Sequence, residues 1–135
     1  MYYLKHANNF KEDQRLVNLG LSIIRKCPLI KVKSEVLTYI LKLKSKKIKK
    51  REIYYECGLL HYFQGRWLKA LKFFSLSNRL LANYYMGECE LKLGHFKDAT
   101  YYFKQYLKKH NIKPTNNSLV LWVKYRLAAV SYTHL

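Results

Sequence analysis

The sequence predicts an all-α fold, an α-α solenoid of antiparallel helical hairpins, and three observations carry that prediction. Apolar residues recur with the period of a helix along most of the chain, and no segment sustains the strict alternation of a half-buried strand. A block of about 29 residues occurs twice: Gly58, Gly65, Trp67, Ala70 and Phe74 are followed at that spacing by Gly87, Gly94, Phe96, Ala99 and Phe103. In each copy a glycine, Gly65 or Gly94, stands between two helical stretches, where it accepts the left-handed backbone that ends a helix. Repeats of roughly 20–50 residues mark stacked architectures, in which one unit cannot bury its own apolar face and leans on the next.

Taken in order, a first helix is expected over residues 11–26, with Asn8 and Asn9 as candidate N-caps and Pro28 ending it. A second is expected over 34–46, capped by Ser34 and striped with Val36, Leu37, Ile40, Leu41 and Leu43. Two helix pairs follow, 51–63 with 66–78 and 81–93 with 95–109. Gly58 and Ala70, and then Gly87 and Ala99, fall on facing sides of their pairs, where a missing side chain lets two backbones approach. Phe74 and Phe103 fill the space toward the neighbouring hairpin, and Trp67 and Phe96 plug the turns. Because the repeat is short, the second helix of the first unit must be brief or its exit loop nearly absent. A loop over 111–117, with Pro114, precedes a last helix beginning near Ser118. The chain thus divides into a degenerate hairpin (1–50), two repeats (51–110), and a linker with a truncated helix (111–135).

Composition bounds the function classes. Half of the 135 residues are apolar, and 13 tyrosines, 6 phenylalanines and 2 tryptophans supply enough bulk to exclude a disordered chain. The net charge of +18 suits an anionic partner, but abundant Lys, Ile, Asn and Tyr beside only 8 acidic residues is equally what an A+T-rich coding sequence yields. Three widely spaced cysteines, Cys27, Cys57 and Cys89, make neither a disulfide framework nor a zinc motif. No apolar core of a secretory signal is visible, and Lys or Arg interrupts every apolar stretch before the roughly 20 residues a bilayer requires. The expectation is an intracellular chain, cytoplasmic or nuclear, with no membrane insertion.

The repeated landmarks resemble the tetratricopeptide repeat, whose pattern is W-x2-L-G-x2-Y, then A-x3-F, then P. Tyr54-x2-Cys57-Gly58-x2-His61 with Ala70-x3-Phe74 follows it, as does Asn83-x2-Met86-Gly87-x2-Glu90 with Ala99-x3-Phe103. The leading Trp, the Tyr and the closing Pro are replaced or missing, and the period is about 29 residues where the family has about 34. Trp122 stands where a further repeat would open.

The resemblance implies a protein-interaction scaffold that holds a peptide or partner subunit on a concave face lined by the first helix of each pair. Carried onto matching positions, that face comprises Glu52, Tyr55, Leu59, Tyr62 and Phe63, then Leu81, Tyr84, Glu88, Leu91 and Lys92. Tyrosine suits a binding face because its ring buries large area while its hydroxyl finds a partner; the same rings suit packing against an adjacent hairpin equally well. The Lys and Asn clamp with which one subclass grips chaperone tails is missing, since Tyr55 and Leu59 occupy those positions.

The run Lys42, Lys44, Lys46, Lys47, Lys49, Lys50 and Arg51 forms a basic patch between the second and third helices. Gripping phosphates would make the chain a basic helical-repeat RNA binder, the alternative function; cations favouring the negative end of a helix are the simpler account, and no aromatic interleaves them to stack a base. Cys57 and His61, four apart, fall at a core position of the repeat, and Cys89 and His95 make no ligand set. No paired carboxylates, nucleophile and base, or phosphate loop stands out, so neither enzyme activity, metal nor cofactor is expected.

Residues 129–135, AVSYTHL, resemble the translation of a transposon-end adapter used in preparing sequencing libraries. Natural sequence is therefore expected to diverge after about Ala128.

Overall fold

The computed structural model describes residues 2–43, 50–110 and 118–133. Among the described residues there are seven helices and no strand: α1 (Tyr2–Lys26), α2 (Ile30–Leu41), α3 (Arg51–Phe63), α4 (Trp67–Ser77), α5 (Leu80–Lys92), α6 (Phe96–His110) and α7 (Ser118–Thr133). The all-helical expectation holds. None of these helices is long and apolar enough to cross a membrane. The expected loop over 111–117 lies outside the described residues.

The first pair differs from expectation at its edges. Helix α1 begins at Tyr2, so Asn8 and Asn9 lie inside it and not at its start. Pro28 holds residues 27–29 out of helix, as its ring demands of its predecessor, but α2 resumes at once from Leu29, which offers no side-chain cap. Ser34 therefore lies one turn inside α2, where its carbonyl accepts from the Thr38 hydroxyl at 2.7 Å.

Both repeats turn as the glycines predict. Gly65 and Gly94 have φ of 75° and 81°. The Arg66 amide donates to the His61 carbonyl at 2.9 Å and the Gly65 amide to Tyr62 at 3.0 Å; His95 to Glu90 (2.8 Å) and Gly94 to Leu91 (3.1 Å) repeat the pattern. This is the Schellman closure, which satisfies carbonyls that the helix end leaves free. The short period is resolved at Asn78, which takes the left-handed conformation (φ 49°) with Arg79 extended, so two residues join α4 to α5. Asparagine is among the few residues that visit this region at low cost.

Each hairpin closes through a glycine. A Cβ at Gly58 would come within 2.6 Å of the Phe74 ring, and one at Gly87 within 2.6 Å of Phe103 Cδ1. Ala70, Ala99, Phe74 and Phe103 are all fully buried. The same device occurs in the first pair, where Gly20 lies against Val36 and Ile40 of α2. Gly20 precedes Val36 by 16 residues, the separation of Gly58 from Phe74 and of Gly87 from Phe103.

The core is a succession of clusters rather than one centre. Val17, Leu21 and Ile24 of α1 join Leu37 and Ile40 of α2 and Ile53 and Cys57 of α3. Tyr55, Ala70 and Phe74 join Ala82, Met86 and Cys89 of α5. Ala99, Phe103 and Tyr106 join Val123 of α7. Consecutive helices pack on one another throughout.

Candidate interaction surface

Alternate helices also touch through side chains. Arg25 of α1 reaches Glu52 (3.2 Å) and Glu56 (3.7 Å) of α3. Tyr55 of α3 meets Tyr85 of α5 edge to face at 6.3 Å. Glu88 of α5 accepts from Arg126 Nε of α7 at 2.9 Å, and its second oxygen accepts from Nη2. The paired forks give a bidentate guanidinium–carboxylate bond, the geometry that makes such pairs directional.

Between these links lies a connected set of rings. Tyr85 stacks on Phe74 at 5.3 Å with planes 8° apart, and presents its edge or face to Tyr62 (5.1 Å) and Tyr84 (5.0 Å). Tyr62 continues to Phe63 and Trp67. Tyr84 approaches Phe103 and Tyr106 at 6.3 and 6.5 Å. Trp122 stacks on Tyr125 at 5.7 Å, with the Arg126 guanidinium 5.6 Å from its ring centre.

Burial sorts the residues expected on the concave face. Tyr55 is 5% exposed and seated between Phe74 and Tyr85, with Arg79 over its ring at 4.3 Å. Burial pushes its hydroxyl pKa far up, and that of Tyr62 up to about 12. Leu59 and Leu81 are half-buried against the second cluster and Leu91 against the third. Glu88 is buried in its pair with Arg126. Tyr62 and Tyr84 are half-buried, while Phe63, Glu52 and Lys92 are exposed. The side chains that remain open to a partner are thus the outer rings, Tyr62, Phe63, Tyr84, Trp122 and Tyr125.

Tyr85 and Arg126 escaped the sequence reading, and Trp122 was read only as the opening of a further repeat. Tyr85 lies beside a position taken from the family pattern, and Arg126 is tied to Glu88 across 38 residues of sequence, a relation no local spacing reveals.

Of the basic patch, Lys46, Lys47 and Lys49, with Lys44, lie outside the described residues. Lys50 donates to the carbonyls of Leu43 (3.1 Å) and Leu41 (3.5 Å), closing the C-terminal end of α2. Arg51, the first residue of α3, is exposed. Cys57 and Cys89 are buried, and burial lifts both thiols to about 12, so neither is a thiolate near neutrality. His61 stacks on Phe73 at 5.4 Å; its pKa is lowered by burial and by Arg66 and Lys69.

No protein-family profile matches this chain, and no curated protein is detectably similar to it in sequence.

Proposed function

We propose that the chain is a segment of a tetratricopeptide-type solenoid and serves as a protein-interaction scaffold. Its odd-numbered helices would hold an extended peptide or partner segment. One observation supports this above the rest: side-chain links run from α1 to α3, α5 and α7 in succession, leaving a continuous band of half-open rings. Tyrosine and tryptophan bury large area at low entropic cost, which is why such rings anchor recognition. The net charge of +18 favours a partner that alternates apolar or aromatic side chains with carboxylates. The RNA alternative draws less support, because Lys50 is engaged with α2 and Arg126, the guanidinium against Trp122, is neutralised by Glu88.

A selection of random displayed peptides on the full chain tests the reading, repeated on a Tyr62→Ala/Trp122→Ala double variant with unchanged circular dichroism. Acidic-aromatic peptides held by the wild type and lost by the variant are expected. Selected peptides that bind both proteins equally, or an absence of peptides beside salt-sensitive RNA binding, would overturn it.

A further inference from the structure

The turn between α5 and α6 gathers Glu90, His95 and Asp98, whose donor atoms all lie within 4.8 Å of one another. Glu90 projects from the last turns of α5, His95 precedes α6, and Asp98 stands in its first turn. The His95 Nδ1 to Glu90 Oε1 distance is already 3.5 Å. We infer that this corner binds a divalent transition metal of the zinc class through one imidazole nitrogen and two carboxylates.

Three features argue for a cation here. First, Glu90 is 93% buried by residue exposure of 7%, yet neither it nor Asp98 pairs with a Lys or Arg among the described residues. The other acids in ion pairs among the described residues, Glu52, Glu56 and Glu88, each face an arginine. Second, the Glu90 and Asp98 carboxylates come within 4.8 Å of each other, and two ionised carboxylates that close repel unless a cation stands between them. Third, one nitrogen with two oxygens is a donor set that zinc-class ions accept at about 2.0–2.2 Å, leaving a position for water. That bond length requires donors about 3–4 Å apart. His95 and Asp98 are exposed and can close the remaining gap by side-chain rotation, with buried Glu90 as the fixed ligand.

The preceding repeat supplies an internal contrast. Its residues 29 positions earlier are His61, Arg66 and Lys69, a corner with two fixed cations and no carboxylate. One backbone corner is thus built twice with opposite charge, and only the second suits a metal.

The test is calorimetric titration of the full chain, free of any affinity tag, with Zn2+ in a Cys27→Ser background, with Mg2+ as control. One Zn2+ equivalent is expected, with little response to Mg2+. His95→Ala and Asp98→Asn, both at exposed positions, should each weaken Zn2+ at least tenfold without loss of helicity, and Glu90→Gln should do the same if it folds. Undetectable Zn2+ binding, equal binding of Mg2+, or full Zn2+ binding by the His95→Ala/Asp98→Asn double variant would overturn the inference.

Discussion

The Phe103 ring lies directly against Gly87, in the space that any side chain at position 87 would need, and Phe74 stands in the same relation to Gly58. Both rings are fully buried and have nowhere to retreat. Gly87→Ala and Gly58→Ala should therefore each destabilise the chain by about 1–3 kcal/mol, the usual cost of overpacking a filled core. Urea unfolding at constant m-value measures it, and a neutral substitution would remove the close-approach account.

Glu88 and Arg126 tie α5 to α7. A double-mutant cycle with Glu88→Gln and Arg126→Gln should return a coupling of roughly 0.5–3 kcal/mol, as for residues in direct contact. The single variants should lose more than the coupling alone, since each strands a charge that the pair neutralised. Additive single effects would show that the two helices are not joined there.

His61 gives stability a pH dependence of known sign. Its folded pKa lies below the unfolded value of about 6.5, so the unfolded chain binds the proton more readily. Its effect on stability is absent above the unfolded value, and stability falls as the pH drops from there through the lower folded value. His61→Gln should flatten that slope below about pH 6.5 in chemical denaturation. An unchanged slope would assign it to other groups.

Cys57 and Cys89 should resist labelling in the folded chain, whereas Cys27 is partly exposed. With thiols of the first two lifted to about 12, a disulfide reagent at pH 8 should modify one cysteine rapidly and the other two only on unfolding. Three equally fast reactions would contradict the packing of α3 and α5.

Much of the fold was legible because the repeat states it twice. Gly65, Gly94, Ala70, Ala99, Phe74 and Phe103 each announce a backbone or packing requirement by residue type, and their recurrence removes coincidence. Gly20 carried the same message through its 16-residue separation from Val36, but a branched aliphatic in place of phenylalanine, and no alanine before it, hid the pattern. The start of α2 was misplaced because Ser34 suggests a cap, although Pro28 had already fixed where helix could resume. The site was only half legible. Family positions located Tyr62 and Tyr84, but Glu88 is turned to Arg126 and Tyr55 to the core by contacts between helices far apart in sequence. The Glu90, His95 and Asp98 cluster escaped for a related reason: its spacing crosses a turn, and only the closure of that turn brings the three together.

Hydrogen exchange with and without a selected peptide tests the central claim most directly, that alternate helices present one continuous binding face. Protection is expected along α3, α5 and α7, centred on Tyr62, Tyr84 and Trp122, with α4 and α6 unchanged. Protection confined to α4 and α6, or none in the presence of saturating peptide, would contradict it.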